Sequence, residues 1–144
     1  MATVRNILDK KGHHVWTIAP SDTVLAAIEQ MARNDVGALV VVDDEGPVGM
    51  FTERHYARNV FLKGRSSPTT PVTDVMSTGF AYVTPNRTVE ECMAIMTATK
   101  VRHLPVIENA KLVGLVSIGD LVKSIIEDKE FVIDQLTSYI TTNR

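Results

Sequence analysis

The stretch with the most definite chemistry is Gly114-Leu-Val-Ser117-Ile-Gly-Asp120, where an apolar run passes directly into a helical pattern. A hydroxyl and a carboxylate three residues apart at a helix start admit two readings. In a capping box, Ser117 accepts from a backbone N–H of the first turn and Asp120 reaches back to a free N–H. Alternatively, the unpaired N–H groups and the Ser117 hydroxyl hold a phosphate, and Asp120 accepts from both hydroxyls of a ribose. An adenosine phosphate satisfies both ends of that second arrangement. Gly49-Met-Phe-Thr52-Glu-Arg-His55 has the same layout, but His55 stands where the carboxylate would be. An imidazole cannot accept from a cis-diol in the bidentate way, so the two places should differ in ligand or affinity. Arg54, Arg58 and Lys63 crowd the first of them, either as a solvated face or as cations for a phosphate.

Arg102-His103-Leu104-Pro105-Val106 is the third informative element. Pro105 cannot donate to a sheet ladder, which predicts incompletely paired backbone there, free to bond a purine edge. Arg102 and His103 are candidates for phosphate contact or simply for solubility. Metal chemistry has little support. His13 and His14 are adjacent rather than one turn apart, Cys92 is the single cysteine, and no HExxH or CxxC spacing occurs. A Ser117, His103 and Asp120 triad lacks a GxSxG elbow, and Ser117 and Asp120 share one helical turn, where they cap rather than relay protons. Glycine-rich phosphate loops of the Walker type are absent.

The elements that must position these residues come in duplicate. Thr17 to Val60 lies without gaps over Tyr82 to Ile125, about 65 residues further on. Pro20 meets Pro85, Thr23 meets Thr88, Met31 meets Met96, Val41 meets Val106 and Gly49 meets Gly114. Each copy reads as an opening strand (Ile18; Tyr82-Val83), a helix (Thr23 to Arg33; Val89 to Thr99), two strands joined by a turn, and a second helix (Glu53 to Leu62; Ile118 to Glu127). The fold class is therefore α+β, with two pseudo-twofold-related β-α-β-β-α repeats packed through their sheets. A matching lead, Val4-Arg-Asn-Ile7-Leu8 and Val72-Thr-Asp-Val75-Met76, precedes each repeat. The expected division is 1–65 for the first repeat with its lead, 66–130 for linker and second repeat, and 131–144 for a helical tail. That tail puts Phe131, Val132, Leu136, Tyr139 and Ile140 on one face, to pack on the flank or against a second copy.

Composition narrows the function classes. The chain has 144 residues, 44% of them hydrophobic, which suits one core or two small fused ones. Fifteen Lys and Arg against seventeen Asp and Glu give a net charge of −2, so no overall basic field speaks for nucleic acid. No apolar run reaches membrane-spanning length and the N-terminus lacks a secretory signal pattern, so the expected location is cytoplasmic, with no membrane partner.

Taken together, the duplicated pattern, Arg102-His-Leu-Pro-Val106, Gly114-Leu-Val-Ser-Ile-Gly-Asp120 and Val72-Thr-Asp-Val-Met76 resemble a tandem pair of CBS domains (the cystathionine β-synthase type), a Bateman module, of the stand-alone bacterial kind. The resemblance covers nearly the whole chain. It implies a non-catalytic sensor that pairs into a homodimer and takes an adenosyl ligand between the repeats: AMP, ADP, ATP or NAD, with S-adenosylmethionine behind them. Carried over by position, Asp120 holds ribose and Ser117 phosphate. Thr84 and the backbone from Arg102 to Leu104 line the adenine pocket, and Arg102 or His103 meets phosphate. Thr52 and Arg54 line the related site, with backbone near Ile18 and Ala38 against the base, and Met76 forms an apolar wall. His55 departs from the family's aspartate, which predicts one strong site and one altered one. The rival reading is a ligand-free adaptor that binds protein through its dimer surface; an enzyme is disfavoured, because no set of residues supplies base, nucleophile and metal together.

Overall fold

The computed structural model describes residues 2–142, with side-chain surroundings described through Ser138. The elements run α1 (Val4–Lys11), β1 (Thr17–Ile18), α2 (Val24–Asn34), β2 (Ala38–Asp43), β3 (Gly46–Thr52), α3 (Glu53–His55), α4 (Val89–Thr99), β4 (His103–Glu108), β5 (Lys111–Ser117) and α5 (Ile118–Thr142). In the first repeat β1 pairs parallel to β2, and β2 antiparallel to β3. The second repeat pairs β4 with β5 antiparallel. Both hairpins shift register at the same place in the repeat, between Val41 and Val42 and between Val106 and Ile107.

The equivalent helices start and stop for the same reasons. Thr23 and Thr88 cap α2 and α4 by accepting from the N–H of Ala26 and Glu91. Asp35 and Lys100 end them in the left-handed conformation, at φ 53° and 58°. Val24, Ala27 and Met31 face one core, and Val89, Cys92 and Met96 face the other.

The leads are exchanged between the repeats. Val4, Ile7 and Leu8 are buried in the core of the second repeat, with Val83, Leu104, Val116 and Leu121, whereas Val72 and Val75 are buried in that of the first. Hydrogen bonds zip each lead in place in the same pattern. The N–H of Val4 donates to Arg87 O (2.9 Å) and that of Arg5 to Pro85 O (2.9 Å). In the other half, Val72 N–H donates to Asp22 O (2.8 Å) and Thr73 N–H to Pro20 O (3.0 Å). The lead within residues 1–65 is thus contiguous in sequence with the first repeat but completes the core of the second.

The repeated glycines are the sockets for these leads. A Cβ on Gly114 would lie 2.7 Å from both methyl carbons of Leu8, and one on Gly49 would lie 2.7 Å from Met76 Sδ and 2.8 Å from Ser77 O. A third apolar cluster joins the two sheets, with Ala38, Val40 and Met50 buried against Leu112, Leu115 and Phe80.

Four expectations are corrected. The helix after β3 has three α residues and then turns into a π-helix over Tyr56–Phe61. Tyr82-Val83 supplies only a single parallel bridge, Val83 to Val106. Pro105 lies inside β4, buried and in register with Leu115, and its carbonyl accepts from Val83 N–H at 3.0 Å. Its missing donor faces the edge where Val83 makes its short bridge, so no ladder bond between β4 and β5 is lost. Finally, the tail is the second half of one continuous α5 and does not pack on the flank: Phe131, Val132 and Leu136 are exposed. The side chains of Tyr139 and Ile140 lie outside the described residues.

Candidate functional site

At the junction of β5 and α5 the capping box is formed. Ser117 N–H donates to Asp120 Oδ2 at 2.9 Å, and Asp120 N–H donates to Ser117 Oγ at 3.1 Å. Lys11, from the exchanged α1, donates from Nζ to the same Oδ2 at 2.8 Å and to Leu115 O at 2.9 Å. An ionised carboxylate offers about four acceptor sites. Those bonds all fall on Oδ2, so Oδ1 is uncommitted. Burial raises the Asp120 pKa, but the Lys11 hydrogen bond and charge and the Ser117 donors outweigh it and hold it below the usual carboxylate value.

In the boxes at α1, α3 and α4 the capping hydroxyl donates back to its own partner, from Thr3 to Asn6, Thr52 to His55 and Thr88 to Glu91. The Ser117 hydroxyl accepts from Asp120 N–H and also helps hold the Asp120 carboxyl in its charged form. This helix start therefore combines a hydroxyl, a carboxylate oxygen fit to accept from a further hydroxyl, and a lysine.

The first-repeat counterpart is closed on itself. His55 Nδ1 accepts from both Thr52 N–H (3.1 Å) and Thr52 Oγ1 (3.2 Å), which fixes the ring as the tautomer protonated on Nε2. Burial, with the Arg54 charge adding, lowers its pKa. Arg54 reaches across the repeats to donate to Lys100 O at 3.1 Å, at the C-terminus of α4, where a cation is favourable.

Beside Asp120 a cleft of about 740 Å³ runs between α1 and α5, lined by Asn6, Ile7, Lys11, Asp120, Ser124 and Val132 among others. That volume falls within the usual range for small-molecule sites. It lies apart from the cluster around Ala38, Val40 and Met50 that joins the two sheets.

The remaining expected residues are distributed as follows. His103 stands opposite Ser117 in the ladder, half-buried, its pKa lowered by burial although the Asp120 charge opposes this. Arg102 and Thr84 are exposed, and the Arg102 carbonyl is taken by Ile118 N–H at 2.9 Å. Leu104 and Pro105 are buried. Ile18 and Ala38 lie in packed cores with their backbone in register with Val41 and Thr52. Met76 seats on Gly49 and packs against the first core. Burial pushes the Cys92 thiol up to about 11, as suits a small core residue.

Lys11 was missed by sequence reasoning, although a signal existed. Aligning the two leads sets Lys11 against Gly79, so the cation accompanies Asp120 and is lacking where His55 replaces the acid. Among the described residues, no group of three or more His, Cys, Asp or Glu is placed to hold a metal ion. No helix of the described residues is long and apolar enough to cross a membrane.

Two interlocked α+β repeats, one with an open and one with a self-closed helix start, define a duplicated module with inequivalent halves. The CBS-domain family model matches residues 4–61 and 72–127, and the chain belongs to this family as a tandem pair. It is 35% identical over 148 residues to the mitochondrial CBS domain-containing protein CBSX3 of Arabidopsis thaliana, covering 96% of this chain and 71% of that one. A solved candidate signal-transduction protein with CBS domains, from Burkholderia ambifaria MC40-6, is 48% identical with a TM-score of 0.85, covering 88% of this chain and 96% of that one. Hypoxic Response Protein I, solved with two coordinated zinc ions, is 29% identical with a TM-score of 0.73, covering 86% of this chain and 99% of that one.

Proposed function

We propose that this chain is a non-catalytic, cytoplasmic regulatory module that binds an adenine nucleotide beside Asp120 and acts as a homodimer on a protein partner. One observation carries the reading: at the α5 start, Lys11 and the Ser117 N–H lie on Oδ2 of Asp120 and leave its Oδ1 free to accept, next to a cleft. Asp120 Oδ1 accepts from ribose, and Ser117 and Lys11 serve phosphate, with Arg102, His103 and Thr84 on the exposed side. AMP, ADP, ATP and NAD share these recognised groups, and a cationic sulfonium suits Lys11 less well. The Thr52, Arg54 and His55 site is the weaker of the two, because its hydroxyl and ring are bonded to each other.

Calorimetric titration with AMP and ATP tests this. Ligand at about one hundred times its dissociation constant should stabilise the fold by about 2.7 kcal/mol. Asp120→Asn preserves shape but removes the charge, and should weaken binding by about 1.5–3 kcal/mol, roughly ten- to a hundred-fold. Unchanged affinity in a folded variant, or no stabilisation by either nucleotide, refutes the proposal. A protein-binding adaptor is the second reading, favoured by the exposed apolar second half of α5.

A further inference from the structure

Lys11 decides how much of a ribose Asp120 can read. The acidic residue of dinucleotide folds holds a ribose through its hydroxyls, and two side-by-side hydroxyls match the two oxygens of one carboxylate. In this chain Oδ2 of Asp120 already accepts from Lys11 Nζ at 2.8 Å and from Ser117 N–H at 2.9 Å. A carboxylate oxygen has room for about two donors, so Oδ2 is full and a ribose hydroxyl is accepted at Oδ1 alone. The pair is held from behind by the core. Lys11 follows Leu8 by one turn on the same face of α1, and Leu8 is seated on Gly114. The Lys11 side chain is 38% exposed and that of Asp120 23%.

An ammonium donates three bonds. Two are in use, to Asp120 Oδ2 and to Leu115 O at 2.9 Å, and the third has no partner among the described residues. With one ribose hydroxyl on Oδ1, the neighbouring ribose oxygen lies alongside Oδ2 and so next to that ammonium, at the edge of the sugar away from its 5′ carbon. Lys123, one turn beyond Asp120 on α5, lines the same cleft, is exposed and forms no ion pair among the described residues. Two cations therefore flank the acid. Of the other charged groups lining the cleft, Lys10 and Glu127 pair with each other at 3.3 Å, and Asp9 and Asp128 are exposed.

We infer that the Asp120 site takes adenosine nucleotides that carry a phosphate on the ribose itself, at the 2′ or 3′ oxygen, and that Lys11 is the residue that sets this specificity. Oδ1 accepts from the one remaining hydroxyl, and Lys11 gives its third bond to the phosphate, with Lys123 on the other side of the acid. A carboxylate with both oxygens free would do the opposite, holding the two hydroxyls of an unmodified ribose and repelling a phosphate beside them. The helix start of the first repeat has His55 in place of the acid and Gly79 in place of the lysine, and so lacks both groups. The inference deepens the nucleotide reading above and rests on it.

Calorimetric titration of the full chain tests it with AMP, adenosine 2′,5′-bisphosphate and adenosine 3′,5′-bisphosphate. At least one bisphosphate should bind as tightly as AMP or more tightly, and which one tells which hydroxyl Oδ1 holds. Lys11→Met keeps the aliphatic stem but removes the donor and frees Oδ2. It should weaken that bisphosphate by at least about ten-fold relative to AMP, a change of ranking that a merely structural role for Lys11 would not produce. The wild-type ranking needs no variant, so it decides the matter even if Lys11→Met melts abnormally. AMP binding with both bisphosphates weaker than AMP, or a ranking that Lys11→Met leaves unchanged, overturns the inference and leaves the nucleotide reading standing. Failure of AMP and both bisphosphates to bind overturns the two together.

Discussion

Leu8 and Gly114 should be energetically coupled across the exchanged lead, and a double-mutant cycle measures it. Leu8 is 1% exposed, and a Cβ on Gly114 would come within 2.7 Å of both its terminal carbons. Leu8→Ala should cost about 2–5 kcal/mol, as for other buried leucines. Gly114→Ala overpacks a side chain that has little room to turn, at about 1–3 kcal/mol. Its φ is not in the left-handed region, so the alanine also regains about 0.4–1 kcal/mol by restricting the unfolded chain. The net loss should be about 1–2 kcal/mol. In the double variant the clash disappears and the new methyl fills part of the void. Its cost should fall short of the sum by at least about 1 kcal/mol. Urea unfolding of the four proteins gives the answer. The pseudo-equivalent cycle, Met76→Ala with Gly49→Ala, should show little such rescue, because Ser77 O still lies 2.8 Å from the added Cβ. Additivity within about 0.5 kcal/mol at Leu8 and Gly114 would refute the socket argument.

Two further outcomes follow from local geometry. His55 and His103 both have pKa values held below 6.5 by burial, so below about pH 6.5 the unfolded chain binds more protons than the folded one. Their contribution to stability is complete above that pH and is lost as pH falls toward the folded values. His55→Ala should lower stability by about 0.5–1 kcal/mol at pH 8, through loss of the cap acceptor. It should also flatten the decline in melting temperature below pH 6.5, leaving the part due to His103; an unaltered pH profile would contradict the assignment. Ala110 sits at φ 63° in the tight turn after Asn109, itself at φ 54°, a conformation costing a residue with a Cβ about 1–2 kcal/mol. After the entropy of a glycine in the unfolded chain, about 0.4–1 kcal/mol, Ala110→Gly should stabilise by about 0.5–1 kcal/mol, read as a raised urea midpoint.

Much of the architecture was legible because duplication tests every local pattern twice. Thr23 and Thr88, the hairpins after Val42 and Ile107 and the helix starts at Thr52 and Ser117 each support the other, and short-range rules of capping and alternation suffice for them. Pro105 misled for an equally local reason: the rule that proline breaks a ladder depends on which edge its nitrogen faces, and that is known only once Val83 is in place. The π-helix after His55 follows an α pattern in sequence and departs from it only in the folded chain.

By itself the sequence determined that Leu8 and Met76 hold equivalent places in the two leads, and Gly49 and Gly114 in the two repeats, because side-chain type and spacing repeat; that each glycine is a socket for a lead is seen only in the fold. It could not say which plug enters which socket, since the two fits are nearly alike in local chemistry. Tertiary structure decided that by chain reach: the segment after the first repeat turns back onto it, leaving α1 to close the second. That choice puts Lys11 on Asp120 rather than beside His55. The chemical inequality of the two helix starts is therefore a consequence of packing between segments more than a hundred residues apart, beyond the reach of any local motif.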